Sequence, residues 1–305
     1  MTHRYATPQA LRQAINDRLR WLANERRGAQ LADLQRQLAY DRLLCRVFQT
    51  DREGWVLKGA TSMLARLGPL ARHTMDVDLY RRAGDLVAAE EALRKAASLD
   101  LGDYFRFALS SGRRLIQDGV ASRISVVAYI GVTQFAQFHV DLVAGIQMTS
   151  DPDDVPPLIS IEIPGVIRCD YRAYPVPDHI ADKVCAIFEL HERGGRQVES
   201  TRYRDLADLA IFAHTQRVSA ESVRRALDAE IERRKLALPK QVQVPGRLGW
   251  RAGYARVVRD APLLEERDID SAMTTVRKFI EPVLSGRAEG VWDPEALDWI
   301  IEVVV

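Results

Sequence analysis

Apolar positions near the start of the chain return at helical intervals. Leu11, Ile15, Leu19 and Leu22 are spaced four, four and three apart, which puts them on one helix face. Thr7 before Pro8 supplies an N-cap and an N1 proline, so the pattern predicts a helical lead-in over residues 7–49. From about residue 54 the period shortens to two. The runs "WVLKG", "MDVDLY", "YFRFAL", "RISVVAYI" and "QFHVDLVAG" read as strands, with "AGDLVAAEEALRKAASL" as a helix between the second and third. A Pro- and Asp-rich stretch, "TSDPDDVPPLIS", interrupts this pattern, and "YPVPDHI" interrupts it again. Beyond residue 176 every strong period is helical: "DHIADKVCAIFELHE", "RYRDLADLAIFAH", "SAESVRRALDAEIERRK", "DIDSAMTTVRKFIEPVL" and "DPEALDWIIEVV". The expected fold class is α/β (α+β), with helices and a mixed core over residues 1–170 and a helical domain over 171–305.

Composition narrows the setting. With 47% hydrophobic and 28% charged residues the chain can bury a sizeable core. No apolar run approaches the roughly 20 residues a bilayer span needs, and the opening "MTHRYATPQALRQAINDRLR" holds no uninterrupted apolar stretch. A cytoplasmic protein with no membrane association is expected. Cys45, Cys169 and Cys185 stand far apart without a Cys-x-x-Cys, which predicts buried, inert thiols rather than a zinc knuckle or a disulfide framework. A formal net charge of +1 gives no general affinity for polyanions, but 37 of the 43 basic residues are Arg. Any polyanion contact must come from local clusters, and "ERR" at 25–27, "GRR" at 112–114 and "IERRKLALPK" at 231–240 are the candidates. Solvated helix faces are the plainer reading of each.

Candidate chemistry concentrates in "LKGATSMLARLGPLARHTMDVDLY", residues 57–80. Asp76 and Asp78 alternate with Met75, Val77 and Leu79, so in a strand both carboxylates point to one face, about 6.6 Å apart at Cα. Two anions so placed repel unless a cation lies between them. A hard divalent cation such as Mg2+ suits them, because it takes a few carboxylate oxygens and keeps positions for water and phosphate. A third carboxylate normally completes a two-metal site, and "FHVDLVAG" offers Asp141 in another alternating strand. The other Asp-x-Asp triplets, 151/153 and 268/270, fall in a Pro-rich loop and at a helix start, where Asp serves turns and caps. Upstream, "LKGATS" ends a strand at Gly59 and opens a helix, an arrangement that aims backbone N–H groups at phosphate. It is no Walker A loop. The six histidines show no metal-ligand spacing, although His139 faces the same way as Asp141. Lys183 shares a helical face with Ile180, Val184 and Ile187, so it must snorkel or meet an anion. Asp205 aligns with Leu209 and Phe212, and an intrahelical pair with Arg202 or a capping role is its simplest reading.

These residues resemble the nucleotidyltransferase superfamily of DNA polymerase β type, and within it the AbiEii-type toxins of type IV toxin–antitoxin systems, a group similar to the mycobacterial MenT toxins. The family pattern, L-K-G-G-T-A-L, a helix, then R-x-[ST]-x-D-[IV]-D-L, falls on Lys58, Gly59, Thr61, Arg72, Thr74, Asp76 and Asp78, with Ala60 in place of the second glycine. The later motifs resemble "DKVCAIFE" and "RYRDLADLAIF", which gives Lys183 and Asp205. The resemblance implies a mixed-sheet nucleotidyltransferase core and an enzyme that uses Mg2+ and a nucleoside triphosphate. Asp76, Asp78 and Asp141 would hold metal, with Asp141 also positioning the attacking hydroxyl. Lys58, Gly59, Thr61 and Thr74 would contact phosphates, while Lys183 would neutralise charge and Asp205 complete the catalytic set. It further implies transfer to an RNA acceptor, the tRNA 3′ end, with translation inhibited and a cognate antitoxin as protein partner. The "IERRK" and "GRR" patches suit an acceptor with backbone phosphates. Two alternatives stand beside this: a non-catalytic nucleotide-binding interaction protein, and transfer of a nucleotide to a small molecule or protein.

Overall fold

A computed structural model describes residues 4–301 except 27–29, 115–120, 146, 190, 194, 195, 199, 244–246 and 262. The chain forms two compact units, one of Met1–Gly68, Thr74–Gln147 and Pro152–Tyr174, the other of Pro69–His73, Met148–Asp151 and Pro175–Val305.

The first unit opens with α1 (Pro8–Glu25), capped by Thr7, whose hydroxyl accepts the Ala10 N–H at 3.1 Å. The predicted stripe, Leu11, Ile15, Leu19 and Leu22, is its buried face. A second helix, α2 (Leu31–Thr50), precedes β1 (Trp55–Lys58), α3 (Gly59–Leu67), β2 (Asp76–Arg81) and α4 (Leu86–Ala97). Then come β3 (Phe105–Leu109), β4 (Arg113–Arg114), β5 (Ala121–Ile130), β6 (Thr133–Ala144), β7 (Asp153–Val155) and β8 (Tyr171–Ala173). Together the strands make one mixed eight-stranded sheet in the order β3-β5-β6-β2-β1-β8-β7, with β4 also paired to β5. Strand β2 is parallel to β6 and antiparallel to β1. One face is core: Val77, Leu79, Ile124, Val126, Val140 and Leu142 are fully buried, and α2 and α4 pack on β6. The alternate positions form a half-exposed face.

Two features tie α2 down. Asp103 is buried between Arg42 Nε at 2.7 Å and Arg46 Nη2 at 2.6 Å. Burial raises its pKa, but the two guanidiniums outweigh that and keep it below the ordinary carboxylate range. Cys45 of α2 is disulfide-bonded to Cys169, which overturns the expectation of three unlinked thiols. The pairing spans 124 residues, and only the packing of α2 against the segment before β8 brings the two cysteines together. Cys185 is a buried free thiol whose pKa burial pushes up to about 12.

The second unit is built on α5 (Val176–Phe188), α6 (Tyr203–Thr215), α7 (Ala220–Arg234), α8 (Arg247–Asp260) and α9 (Ile269–Leu284). A hairpin pairs β9 (His191–Arg193) with β10 (Arg196–Val198), and β11 (Val218–Ser219), β12 (Val291–Asp293) and β13 (Asp298–Ile300) form a small sheet. The last two strands correct the helix expected over "DPEALDWIIEVV", whose final residues lie outside those described. Asp293 accepts the N–H groups of Glu295 and Ala296 at 2.9 and 3.1 Å, and Leu297 takes a positive φ of 50°, so the chain reverses. Trp292 then stands opposite Trp299, with ring centroids 5.6 Å apart. Cross-strand aromatic pairing of this kind outweighs a weak helical period. Among the described residues no helix is long and apolar enough to cross a membrane.

Candidate active site

Asp76 and Asp78 lie on β2 at half-buried positions, alternating with buried Val77 and Leu79. The parallel register with β6 places Asp78 beside Asp141 and Asp76 beside His139. Since directly paired residues share a sheet face, the three carboxylates and the imidazole occupy one half-exposed patch. His139 Nδ1 is 3.4 Å from Asp76 Oδ1. The main cation in the patch is Arg123, which sequence reasoning missed. It faces Asp141 from β5 and donates to both of its oxygens, Nε to Oδ1 at 2.7 Å and Nη2 to Oδ2 at 2.5 Å, while Nη2 also lies 3.5 Å from Asp76 Oδ2. Alternation in "ASRISVVAYI" puts Arg123 on the polar face of its strand, but nothing in the chain states which strand lies alongside.

Hard carboxylate oxygens at neighbouring register positions are the donor set a divalent cation of the Mg2+ type takes. With Asp141 clasped by Arg123, no three His, Cys, Asp or Glu side chains among the described residues converge as a metal-holding cluster. The donor chemistry fits such an ion, and the guanidinium stands in as the local counter-charge.

Gly59 begins α3 with a φ of +57°, and a Cβ there would lie 2.1 Å from Asp78 Oδ2. Only glycine meets both demands, the left-handed backbone and the approach of the carboxylate. The N-terminus of α3 thus opens beside the acid pair. Lys58 is in register with Asp78 and lies 4.8 Å over the Tyr174 ring. Thr61 and Thr74 are buried and engage the backbone of β2. The Thr61 hydroxyl donates to the Asp76 carbonyl at 2.9 Å and accepts the Asp78 N–H at 3.3 Å, and the Thr74 hydroxyl donates to the same carbonyl at 3.0 Å. In this geometry they fix the strand that carries the acids.

Lys183 and Asp205 belong to the second unit. Lys183 is buried on α5 and meets anions: its Nζ donates to Asp208 Oδ2 at 2.5 Å and to Asp205 Oδ1 at 3.0 Å. Arg72 binds the same Asp208 carboxylate through Nε at 2.8 Å and Nη2 at 3.2 Å. Burial opposes charge on both partners. The carboxylates nevertheless raise Lys183 above its ordinary pKa, and Arg72 with Lys183 holds Asp208 down at about 2. Asp205 retains the expected contact with Arg202, at 3.6 Å. Asp208 was the unread member of this network; its position three residues after Asp205 puts both on one face of α6.

The "IERRK" patch does not present free arginines. Arg234 is clamped by Glu230, Asp182 and Glu189, and Arg233 pairs with Glu230. Intramolecular acids, invisible to a count of basic residues, already use these charges. Arg113 and Arg114 are exposed on β4, whereas the cluster at 25–27 runs outside the described residues.

No protein of curated function matches the chain by sequence. The nucleotidyltransferase toxin MenT4 of Mycobacterium tuberculosis H37Rv is similar in fold: 18% identical, with a TM-score of 0.51 over 89% of this chain and 98% of that one. Residues 42–303 match the family described as nucleotidyl transferase AbiEii toxin, type IV toxin–antitoxin system. The chain belongs to the AbiEii nucleotidyltransferase toxin family, and this membership makes it a nucleotidyltransferase that takes a nucleoside triphosphate and has an antitoxin as counterpart.

Proposed function

We propose that the protein transfers a nucleotide from a nucleoside triphosphate to an RNA acceptor, the tRNA 3′ end, in a Mg2+-dependent reaction that arrests translation in the cytoplasm until an antitoxin intervenes. The observation that carries this is the register of β2 and β6, which sets Asp76, Asp78 and Asp141 side by side next to the Gly59 opening of α3.

In this reading Asp76, Asp78 and Asp141 would hold Mg2+, which when bound supplies neutralisation of phosphate charge. The remaining work is positioning and electrostatics. Gly59 lets the chain and a phosphate approach closely, and the first N–H groups of α3 aim positive partial charge at the donor. Lys58 stands at the same end of the site. Thr61 and Thr74 act through β2, holding its backbone so that Asp76 and Asp78 keep a common face. Asp141, held in place by its two contacts with Arg123, orients the attacking hydroxyl. Lys183 remains the proposed cation for phosphate charge, held protonated by Asp205 and Asp208.

The test is to incubate the full chain with each α-labelled nucleoside triphosphate, Mg2+ and total RNA. Label at RNA 3′ ends that depends on Asp76 and Asp78 supports the reading. Label that appears only in protein or in small molecules refutes the RNA acceptor.

A further inference from the structure

The sheet registers align more than the three acids. Arg113 on β4 is opposite Arg123 on β5, Arg123 is opposite Asp141 on β6, Asp141 is beside Asp78 on β2, and Asp78 is opposite Lys58 on β1. Directly paired residues share a face, so five charged side chains cross the sheet in one row: two arginines, two aspartates and a lysine. At roughly 4.8 Å per strand, Arg113 stands about 14 Å from Asp78 at Cα. Like charges directly opposite each other destabilise a strand pair. Asp141 offsets the charge of Arg123. Among the described residues Arg113 makes no ion pair, and it is exposed.

The row has a direction. In an in-line displacement the entering hydroxyl and the leaving pyrophosphate lie on opposite sides of the phosphorus. The donor's phosphates belong at the Lys58 end, where Gly59 and the N-terminus of α3 open. The acceptor must therefore enter from the arginine end, past Asp141.

We propose that Arg113, with Arg123 behind it, is the acceptor subsite, holding a backbone phosphate of the RNA strand whose terminal hydroxyl is presented to Asp141. This rests on the RNA-acceptor reading above. Arg123 serves twice, as the positioning residue for Asp141 and as the inner cation of the subsite. Arg113 is the outer contact and touches none of the acids. The neighbouring Arg114 pairs with Ser122, one register position on, and so belongs to the opposite face.

The experiment uses the full chain carrying Arg113→Ala or Arg113→Lys, with unfractionated tRNA as the probe. tRNA binding is followed across a salt series, and binding of Mg2+-loaded non-hydrolysable triphosphate analogues is measured without RNA. In Arg113→Ala the slope of log affinity against log salt should fall by about 0.7–0.9, the share of one phosphate contact. Arg113→Lys should restore it, and triphosphate affinity should stay within about twofold of wild type. If wild type binds tRNA and Arg113→Ala does so with the same slope, the subsite is wrong and the RNA reading survives. A fall in triphosphate affinity would move Arg113 to the donor side and overturn the proposal. Should wild type bind triphosphate but no RNA, or label a protein instead, the RNA acceptor fails and this subsite with it.

Discussion

Asp208→Asn preserves the shape of a fully buried side chain and removes its charge. The carboxylate is 2.5 Å from Lys183 Nζ and 2.8 Å from Arg72 Nε. Without it Lys183, 3% exposed, keeps only Asp205 of its two carboxylates, and Arg72 loses its counter-charge and at least one of its two bonds to position 208. Removing one partner from a buried ion pair costs about 3–5 kcal/mol, because the charges left behind remain desolvated. That is a large part of the about 5–15 kcal/mol that stabilises an ordinary domain. The loss has a pH signature. Asp208 is held at about 2 against an ordinary 3.8, and a depressed carboxylate contributes stability that is complete above its unfolded pKa and lost as pH falls through the folded one. At about 1.4 kcal/mol per pH unit the contribution is on the order of 2 kcal/mol, of which about 1 kcal/mol is gone by pH 3. Urea unfolding of wild type and Asp208→Asn at pH 7, 5 and 3 should therefore show a gap of about 3–5 kcal/mol at the two higher pH values and about 1 kcal/mol less at pH 3. A gap below 1 kcal/mol at pH 7, or one unchanged between pH 5 and 3, would refute the buried network. Lys183→Met offers a second handle. On sequence alone it looks harmless, because the position lies on an apolar stripe. With two buried carboxylates opposite, it should destabilise by a similar amount and combine non-additively with Asp208→Asn.

Asp76→Ala and Asp78→Ala should abolish transfer, yet leave the melting temperature in EDTA unchanged or slightly higher, since each relieves repulsion on a half-exposed strand face; wild-type transfer in either variant would remove the metal assignment. Gly59→Ala places a Cβ 2.1 Å from Asp78 Oδ2 at a φ of +57°. It should cost about 1–2 kcal/mol from the backbone alone and weaken triphosphate binding, which calorimetry at matched folded fraction would show. Arg234→Ala leaves Glu230, Asp182 and Glu189 without their common cation. It should lower the urea midpoint while leaving the salt dependence of RNA binding intact, and the opposite pattern would restore this patch as an RNA contact.

Periodicity in the chain was enough for the elements that carry the site. Strands β1, β2, β5 and β6, helices α1 and α4, and most of the second unit's helices follow from local apolar spacing, because burial of one face imposes a period of two or 3.6 on any stretch that folds. The strand assignment likewise put Asp76 and Asp78 on one face, and the glycine before a helix marked the turn at Gly59. What the chain order could not state is which strands lie side by side. The parallel β2–β6 pairing brings Asp141 to Asp78, and the β5–β6 and β4–β5 pairings bring Arg123 and Arg113 into the same row. Partner choice is equally hidden for charges and thiols: Lys183 needed an anion, but tertiary packing supplied Asp208 and Arg72; Arg233 and Arg234 looked free until α7 met its acids; and Cys45 met Cys169 across 124 residues. The C-terminal helix that became β12 and β13 failed for the same reason. A local period sets one side chain against its sequence neighbours, whereas burial, charge pairing and aromatic contact act across space, and only the folded chain decides which of them prevails.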